Sequence, residues 1–160
     1  MNNMKILLIS FLVVFITSPL WILWVAIKSN HKKAKKLREE IIALANGYKA
    51  ITPAEFFDIR EHFKGCLYAF DFMGCYILCN KTKNKYYVGQ ATHVPNRINA
   101  HLTGRGNGDV YADFRAGDLF EVRMIDITTT SYKRLNDLER NLIWAYNAYS
   151  NGYNKTRGNK

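Results

Sequence analysis

The chain has 160 residues and a net charge of +10, a length that fits one small domain with additions. Its three cysteines are an odd number, which argues against a disulfide framework, and no second Cys/His pair stands at zinc-ligand spacing. Residues 1–38 hold seven Lys or Arg and no acidic residue, and residues 74–160 hold thirteen basic and seven acidic residues. The C-terminal part is therefore basic by itself, as expected for a surface that meets a polyanion.

An uncharged segment of 22 residues, Ile6–Ile27, stands near the N-terminus. As a helix it would reach about 33 Å, enough to cross a hydrocarbon core of about 30 Å. A cleaved signal peptide is the alternative, but its apolar core is shorter, about 7–15 residues, and ends at a small-residue site. One basic residue, Lys5, precedes the segment, and six follow it within residues 28–38. The segment therefore predicts a single transmembrane helix with the rest of the chain in the cytoplasm.

Residues 28–71 are interpreted as a basic juxtamembrane and helical spacer, or as an N-terminal addition to the domain that follows. Strong helix formers run from Ala34 to Ala45 and stop at Asn46-Gly47. A second helix is predicted to begin at Thr52, because Thr52-Pro53-Ala54-Glu55 has the pattern of a capping box with proline at the first helical position.

Residues 72–160 are predicted to form one α+β domain with a small sheet. Apolar strands separated by a polar turn predict a hairpin, and apolar residues at helical spacing predict the helices. The predicted order is strand 75–79, strand 86–89, a helix from Thr92, a glycine-rich loop 103–108, helix 110–116, strand 119–127 and helix 131–149.

Two tripeptides in the predicted hairpin, Gly74-Cys75-Tyr76 and Tyr87-Val88-Gly89, each present a tyrosine. Arg97 and His101 follow four residues apart and so share one helix face, and Glu139 lies beside the apolar stripe of the last helix. Taken alone, these residues also fit ordinary roles: aromatic filling of a sheet, an exposed helix face and an exposed carboxylate. Together they supply the proton acceptor, the cation and the metal ligand that phosphodiester hydrolysis needs.

This ordered set, completed by Asn154, resembles the GIY-YIG nuclease family over about residues 74–157. The resemblance implies a three-stranded antiparallel sheet flanked by helices, with Glu139 binding a divalent metal, Mg²⁺ or Mn²⁺. It implies that Tyr76 is the general base, although a phenol is only about 0.1% ionised at neutral pH and His101 is a competing acceptor. Tyr87 would orient water or phosphate, and Gly74, Gly89 and Asn154 would support the site, with Gly89 allowing a phosphate to approach the backbone. The sequence departs from the pattern at Cys75, which carries no chemistry.

The sequence thus predicts a membrane-anchored, metal-dependent endonuclease, with DNA as the expected substrate. The alternatives are a membrane-tethered module that binds nucleic acid without cutting it, and a nuclease selective for RNA or for nucleic-acid structure. Basic side chains late in the chain are predicted to contact phosphates: Arg105, Lys155 and Arg157. The oligomeric state stays open.

Overall fold

The computed structural model describes residues 2–64 and 70–159, with side chains described from Leu20 onward. The chain divides into two compact units, Met1–Glu39 and Glu40–Lys160. Helix α1, Asn2–Asn46, supplies the first unit and ends in the second. Within the described residues, no helix combines the length and the apolar character needed to cross a membrane. Of the predicted span Ile6–Ile27, the side chains of positions 6–19 lie outside the described part of the chain.

The second unit is built on one antiparallel sheet of three strands in the order β2-β1-β3. The central strand β1 is buried at every position because it has a hydrogen-bonded neighbour on both sides and an apolar core on each face. This confirms the predicted α+β fold with a small three-stranded antiparallel sheet flanked by helices. In chain order the elements after α1 are α2 (Pro53–His62), β1 (Gly74–Asn80), β2 (Lys85–Ala91), α3 (Val94–Leu102), α4 (Gly108–Arg115), β3 (Phe120–Asp126), a short 3₁₀ helix (Ile127–Thr129) and α5 (Leu135–Ala145).

Residues 40–62 pack within this unit. Ile51 exchanges two backbone hydrogen bonds with Val122, 2.8 and 3.0 Å long, and so extends the sheet beyond β3. The capping box of α2 forms as its sequence indicates, and the α2 side chain Phe56 is fully buried. The segment before residue 72 therefore contributes core residues to the unit that carries the sheet.

The two faces of the sheet carry two separate apolar cores, because side chains alternate along each strand. On one face Cys75, Ile77 and Val88 pack against α5 and the end of α1. On the other face Tyr76, Leu78 and Val122 pack with apolar side chains of α2, α3 and α4. Tyr76 and Tyr87 thus face α3, whereas α5 covers the opposite face.

The last helix is shorter than its sequence pattern predicts, running from Leu135 to Ala145 instead of from Ser131 to Tyr149. Asn147 has a φ of +52°, a left-handed conformation that ends the helix and that asparagine tolerates better than most residues. The polypeptide then turns back toward β2.

Candidate active site

A cavity of about 280 Å³ lies along β2, the outer strand of the sheet. It brings together side chains from both faces of the sheet: the two signature tyrosines come from one face, and Glu139 on α5 comes from the other. The residues that line it are Tyr76, Tyr87, Gly89, Gln90, Arg97, Asn107, Glu139, Asn154, Lys155, Thr156 and Asn159. Seven of the residues predicted from sequence are in this set, and His101 lies directly behind Tyr76.

Tyr76 is held between His101 and the backbone of β2. Its hydroxyl lies 2.9 Å from Nε2 of His101, and both side chains are buried. Tyr76 pairs with Gly89 across the hairpin, where a Cβ on residue 89 would lie 2.3 Å from the Tyr76 Oη. Glycine at position 89 therefore makes room for the tyrosine hydroxyl, a different role from the phosphate approach that the sequence suggested.

The loop after α3 decides which nitrogen of His101 carries the proton. The backbone N–H of Asn107 donates to Nδ1 over 2.9 Å, so Nδ1 acts as an acceptor. Burial, with a smaller effect from Arg97, lowers the pKa of His101 to about 4, so the ring is neutral at physiological pH. A neutral imidazole whose Nδ1 accepts must carry its proton on Nε2, which then donates to the Tyr76 hydroxyl.

Gly106 allows this contact, because a Cβ at that position would lie 2.6 Å from Nδ1 of His101. Asn107 also caps α4, its side-chain oxygen accepting from the backbone N–H groups of Asp109 and Val110. The loop backbone is therefore fixed by the start of the next helix, and the histidine is oriented through it.

The tyrosine hydroxyls resist ionisation in the free protein. Burial raises the pKa of Tyr76 well above its usual range, and the neighbouring Tyr87 adds to the effect. Burial also raises the pKa of Tyr87, while the Arg97 guanidinium acts in the opposite direction on both phenols. The Nε2–H donor of His101 and the positive charge of Arg97 are thus the groups that favour a phenolate at Tyr76.

Glu139 is the carboxylate of the cavity, and 7% of its surface is exposed. Its Oε2 accepts from the Gln90 side-chain amide over 3.1 Å and from the Asn159 backbone N–H over 3.2 Å. Among the described residues it takes part in no ion pair, and burial raises its pKa. The site therefore holds a largely buried carboxylate whose charge is met only by neutral donors.

Asn154 closes the outer edge of β2. Its side-chain amide accepts from the Val88 N–H over 2.9 Å and donates to the Val88 carbonyl over 2.7 Å. These are the two groups that an edge strand leaves unpaired, so the amide replaces a strand neighbour. Gly152 precedes it where a Cβ would lie 2.3 Å from the Tyr86 carbonyl oxygen. Asn154 thus anchors the C-terminal segment, and with it Lys155, Thr156 and Asn159, beside the cavity.

The remaining predicted residues lie in different places. Lys155 lines the cavity and pairs with Asp109. Arg105 is exposed on the loop after α3 and is not among the lining residues, and Arg157 lines a separate cavity on α5. Gly74 is required by the sheet, since a Cβ there would lie 2.0 Å from the Ile125 carbonyl oxygen.

Sequence reasoning missed several residues of the site: Gln90, Gly106, Asn107 and Asn159. Gln90 could have been found, because it alternates with Gly89 on β2 and so faces α5 beside Glu139. Asn107, beside Gly108 and ahead of Asp109, had the pattern of a helix cap. The contact between its N–H and His101 depends on loop geometry, which no local pattern specifies.

Of three comparisons with known proteins, the match to a protein-family model supports the nuclease interpretation. A search of curated proteins found no significant match. Among solved structures, the catalytic domain of the intron endonuclease I-TevI, in a mutant form, is similar at 22% sequence identity, with a TM-score of 0.41; the similarity covers 54% of this chain and 96% of that one. The model of the GIY-YIG catalytic domain matches residues 72–154, just over half of the chain. The chain therefore belongs to the GIY-YIG family and is an endonuclease of that type.

Proposed function

We propose that this endonuclease is anchored to a membrane, depends on a divalent metal and hydrolyses phosphodiester bonds of DNA. The observation that carries the catalytic part is that Tyr76, Arg97 and Glu139 line the same cavity. A proton acceptor, a cation for phosphate oxygens and a ligand for a metal are the groups that this hydrolysis requires.

Tyr76 is the general base in this proposal. Tyr76 first releases its own proton to solvent, and the Nε2–H of His101 and the charge of Arg97 stabilise the resulting phenolate. The phenolate Oη then accepts the proton of the attacking water. His101 is a poor base in this arrangement, because its Nδ1 is occupied by the Asn107 N–H and its Nε2 already carries a proton. Arg97 is exposed at the cavity, where its guanidinium can bind two phosphate oxygens and stabilise the charge that develops on them.

Glu139 is the residue that would hold the metal. Within the described residues, no three His, Cys, Asp or Glu side chains converge on one point, so water and substrate oxygens would complete the coordination shell. That donor set suits Mg²⁺ or Mn²⁺, since Mg²⁺ keeps several waters and binds through one or two carboxylates. A buried carboxylate without an ion-pair partner fits such a cation. When bound, the metal would act as a Lewis acid on the phosphate.

The N-terminal segment supports membrane anchoring. Large apolar side chains are exposed at its described end, including Trp21 at 65% and Trp24 at 56%, and the basic residues of positions 28–38 follow at once. Tryptophan next to lysine at the end of an apolar segment is typical of a membrane interface. A reporter fused after Lys160 should be active only in the cytoplasm, and the protein should resist carbonate extraction. An externally accessible C-terminus would contradict the proposed orientation.

The catalytic proposal is tested with the full chain in detergent, incubated with labelled DNA and RNA with and without Mg²⁺. DNA should be cut in Mg²⁺ or Mn²⁺ and left intact in chelator. Cleavage that survives chelation would contradict the metal assignment, and cleavage of RNA alone would replace the proposed substrate.

A further inference from the structure

A second cavity, of about 340 Å³, lies on the solvent side of α5. Its floor is Ile143, which is 3% exposed, and its walls carry two exposed aromatic rings, Trp144 at 44% and Tyr149 at 45%. Two arginines complete it, Arg140 and Arg157. Neither aromatic ring belongs to the apolar cores that hold the fold together.

The charge of this cavity favours a polyanion. Arg157 lies over the Tyr149 ring, 5.4 Å from its centroid, in a cation–π arrangement that holds the guanidinium beside an aromatic face. Arg140 also donates to Asp137 on the same helix, which fixes its position. The described residues that line the cavity include no carboxylate. Aromatic faces beside arginines are what proteins use to stack bases and hold phosphates of unpaired strands.

The second cavity adjoins the candidate active site through two short connections. The first connection is on α5, where Arg140 directly follows Glu139. The second is in the C-terminal segment, where Arg157 lies two residues before Asn159, whose backbone N–H donates to Glu139. Two residues span at most about 7 Å, so the second cavity lies close to the candidate active site. Gly158 lies between the two cavities against Arg140, where a Cβ would be 2.8 Å from Cγ.

We infer that this cavity binds an unpaired nucleobase of the substrate, close to the bond that is cut. The inference rests on the proposed nuclease function and narrows its substrate class. Bases inside a duplex are stacked on one another and cannot offer a face to Trp144, so the subsite selects strands with an unpaired base near the cleavage site. Arg157 and Arg140 hold the adjacent phosphates.

Binding is measured on the full chain in detergent, in chelator, so that affinity is read without cleavage. The probes are a fully paired DNA duplex and a duplex of the same sequence with a short unpaired thymine stretch. Trp144→Ala should weaken binding of the unpaired probe about fivefold to a hundredfold and change duplex binding by less than about twofold. Trp144→Phe should retain most of the affinity. Arg157→Ala should reduce the number of counterions released on binding by about one, which is measured as a shallower slope of log affinity against log salt concentration.

The matched control is Arg115→Ala. Arg115 is also an exposed arginine over a tyrosine ring, 5.9 Å from the centroid of Tyr111, and it lies on α4 rather than α5. It should leave the preference for the unpaired probe unchanged.

Equal binding of both probes by the wild type would overturn the inference. So would a Trp144→Ala variant that binds both probes as the wild type does, the result expected if this face serves a protein partner. Cleavage of the two probes in Mg²⁺ separates the two proposals. A preference for the unpaired probe that depends on Trp144, without any cleavage in Mg²⁺, would support the subsite and contradict the proposed metal-dependent cleavage of DNA.

Discussion

The two ends of the candidate active site, one with Tyr76 and His101 and the other with Glu139, differ in the partners that their polar groups have in the free protein. At the tyrosine end, Tyr76 and His101 are buried, hydrogen-bonded at 2.9 Å, and supported by a second hydrogen bond from the Asn107 backbone. At the carboxylate end, Glu139 is met only by neutral donors at 3.1 and 3.2 Å. The comparison teaches that the free protein already holds the proposed proton acceptor in place, whereas Glu139 has no opposite charge beside it among the described residues, as the proposed cation site requires.

Removing the charge at the carboxylate end should have the largest effect. Glu139→Gln keeps the shape of the side chain but cannot hold a divalent cation, so cleavage should fall by about ten-thousandfold. Binding of DNA in chelator and the melting temperature should stay close to wild type. Glu121→Gln is the control, because Glu121 lies on β3, outside the cavity, and forms an ion pair with Lys81 at 3.6 Å. Full activity of Glu139→Gln would contradict the proposal that Glu139 binds a metal needed for cleavage.

At the tyrosine end, Tyr76→Phe should slow the chemical step by about a hundredfold or more and leave affinity nearly unchanged, because a base acts in the transition state. Tyr86→Phe is the matched control, since Tyr86 packs with the core on the opposite face of the sheet. Single-turnover cleavage measures the step. If Tyr76→Phe keeps a wild-type rate while His101→Gln loses it, the roles of the two residues are reversed.

Gly106→Ala should lower the cleavage rate by disturbing the tyrosine end, although residue 106 does not line the cavity. The new Cβ would lie 2.6 Å from Nδ1 of His101, so the loop must shift and the Asn107 hydrogen bond is lost. The expected loss of rate is about tenfold, the value of one such bond. Gly108→Ala, two residues on, is the control, because a Cβ there has no neighbour within 4 Å. Equal rates for the two variants would contradict a role for the loop.

The pH dependence of stability should report the burial of His101. Its pKa in the folded protein, about 4, lies below the unfolded value of 6.5, so the unfolded chain takes up the proton first as the pH falls. Stability should therefore decline between pH 6.5 and 4 by about 3 kcal/mol from this group, and no further below that. Urea unfolding of the wild type and of His101→Gln at several pH values gives the difference. The same slope in both proteins would contradict a buried, neutral His101.

The sequence predicts the tyrosine end better than its surroundings. The alternation of a hairpin fixes which side chains share a face, and helical spacing places Arg97 and His101 together, so local periodicity is enough for these residues. Asn107 and Asn159 act on the site through their backbone N–H groups, which every residue except proline has. The residue type at these positions therefore does not reveal the role. The position of Arg157 beside the second cavity could not be predicted, because the path of the C-terminal segment is set by contacts of Asn154 and Gly152 with β2, which join distant parts of the chain.

In the arrangement described above, Nε2 of His101 carries the ring proton and donates a hydrogen bond to the Tyr76 hydroxyl. Nitrogen-15 NMR of the histidine rings at neutral pH tests it most directly, because the shifts of the two ring nitrogens distinguish the tautomers. The account predicts a neutral His101 with a protonated Nε2 and an unprotonated Nδ1. A proton on Nδ1, or a charged ring at pH 7, would contradict it and return His101 to the position of general base.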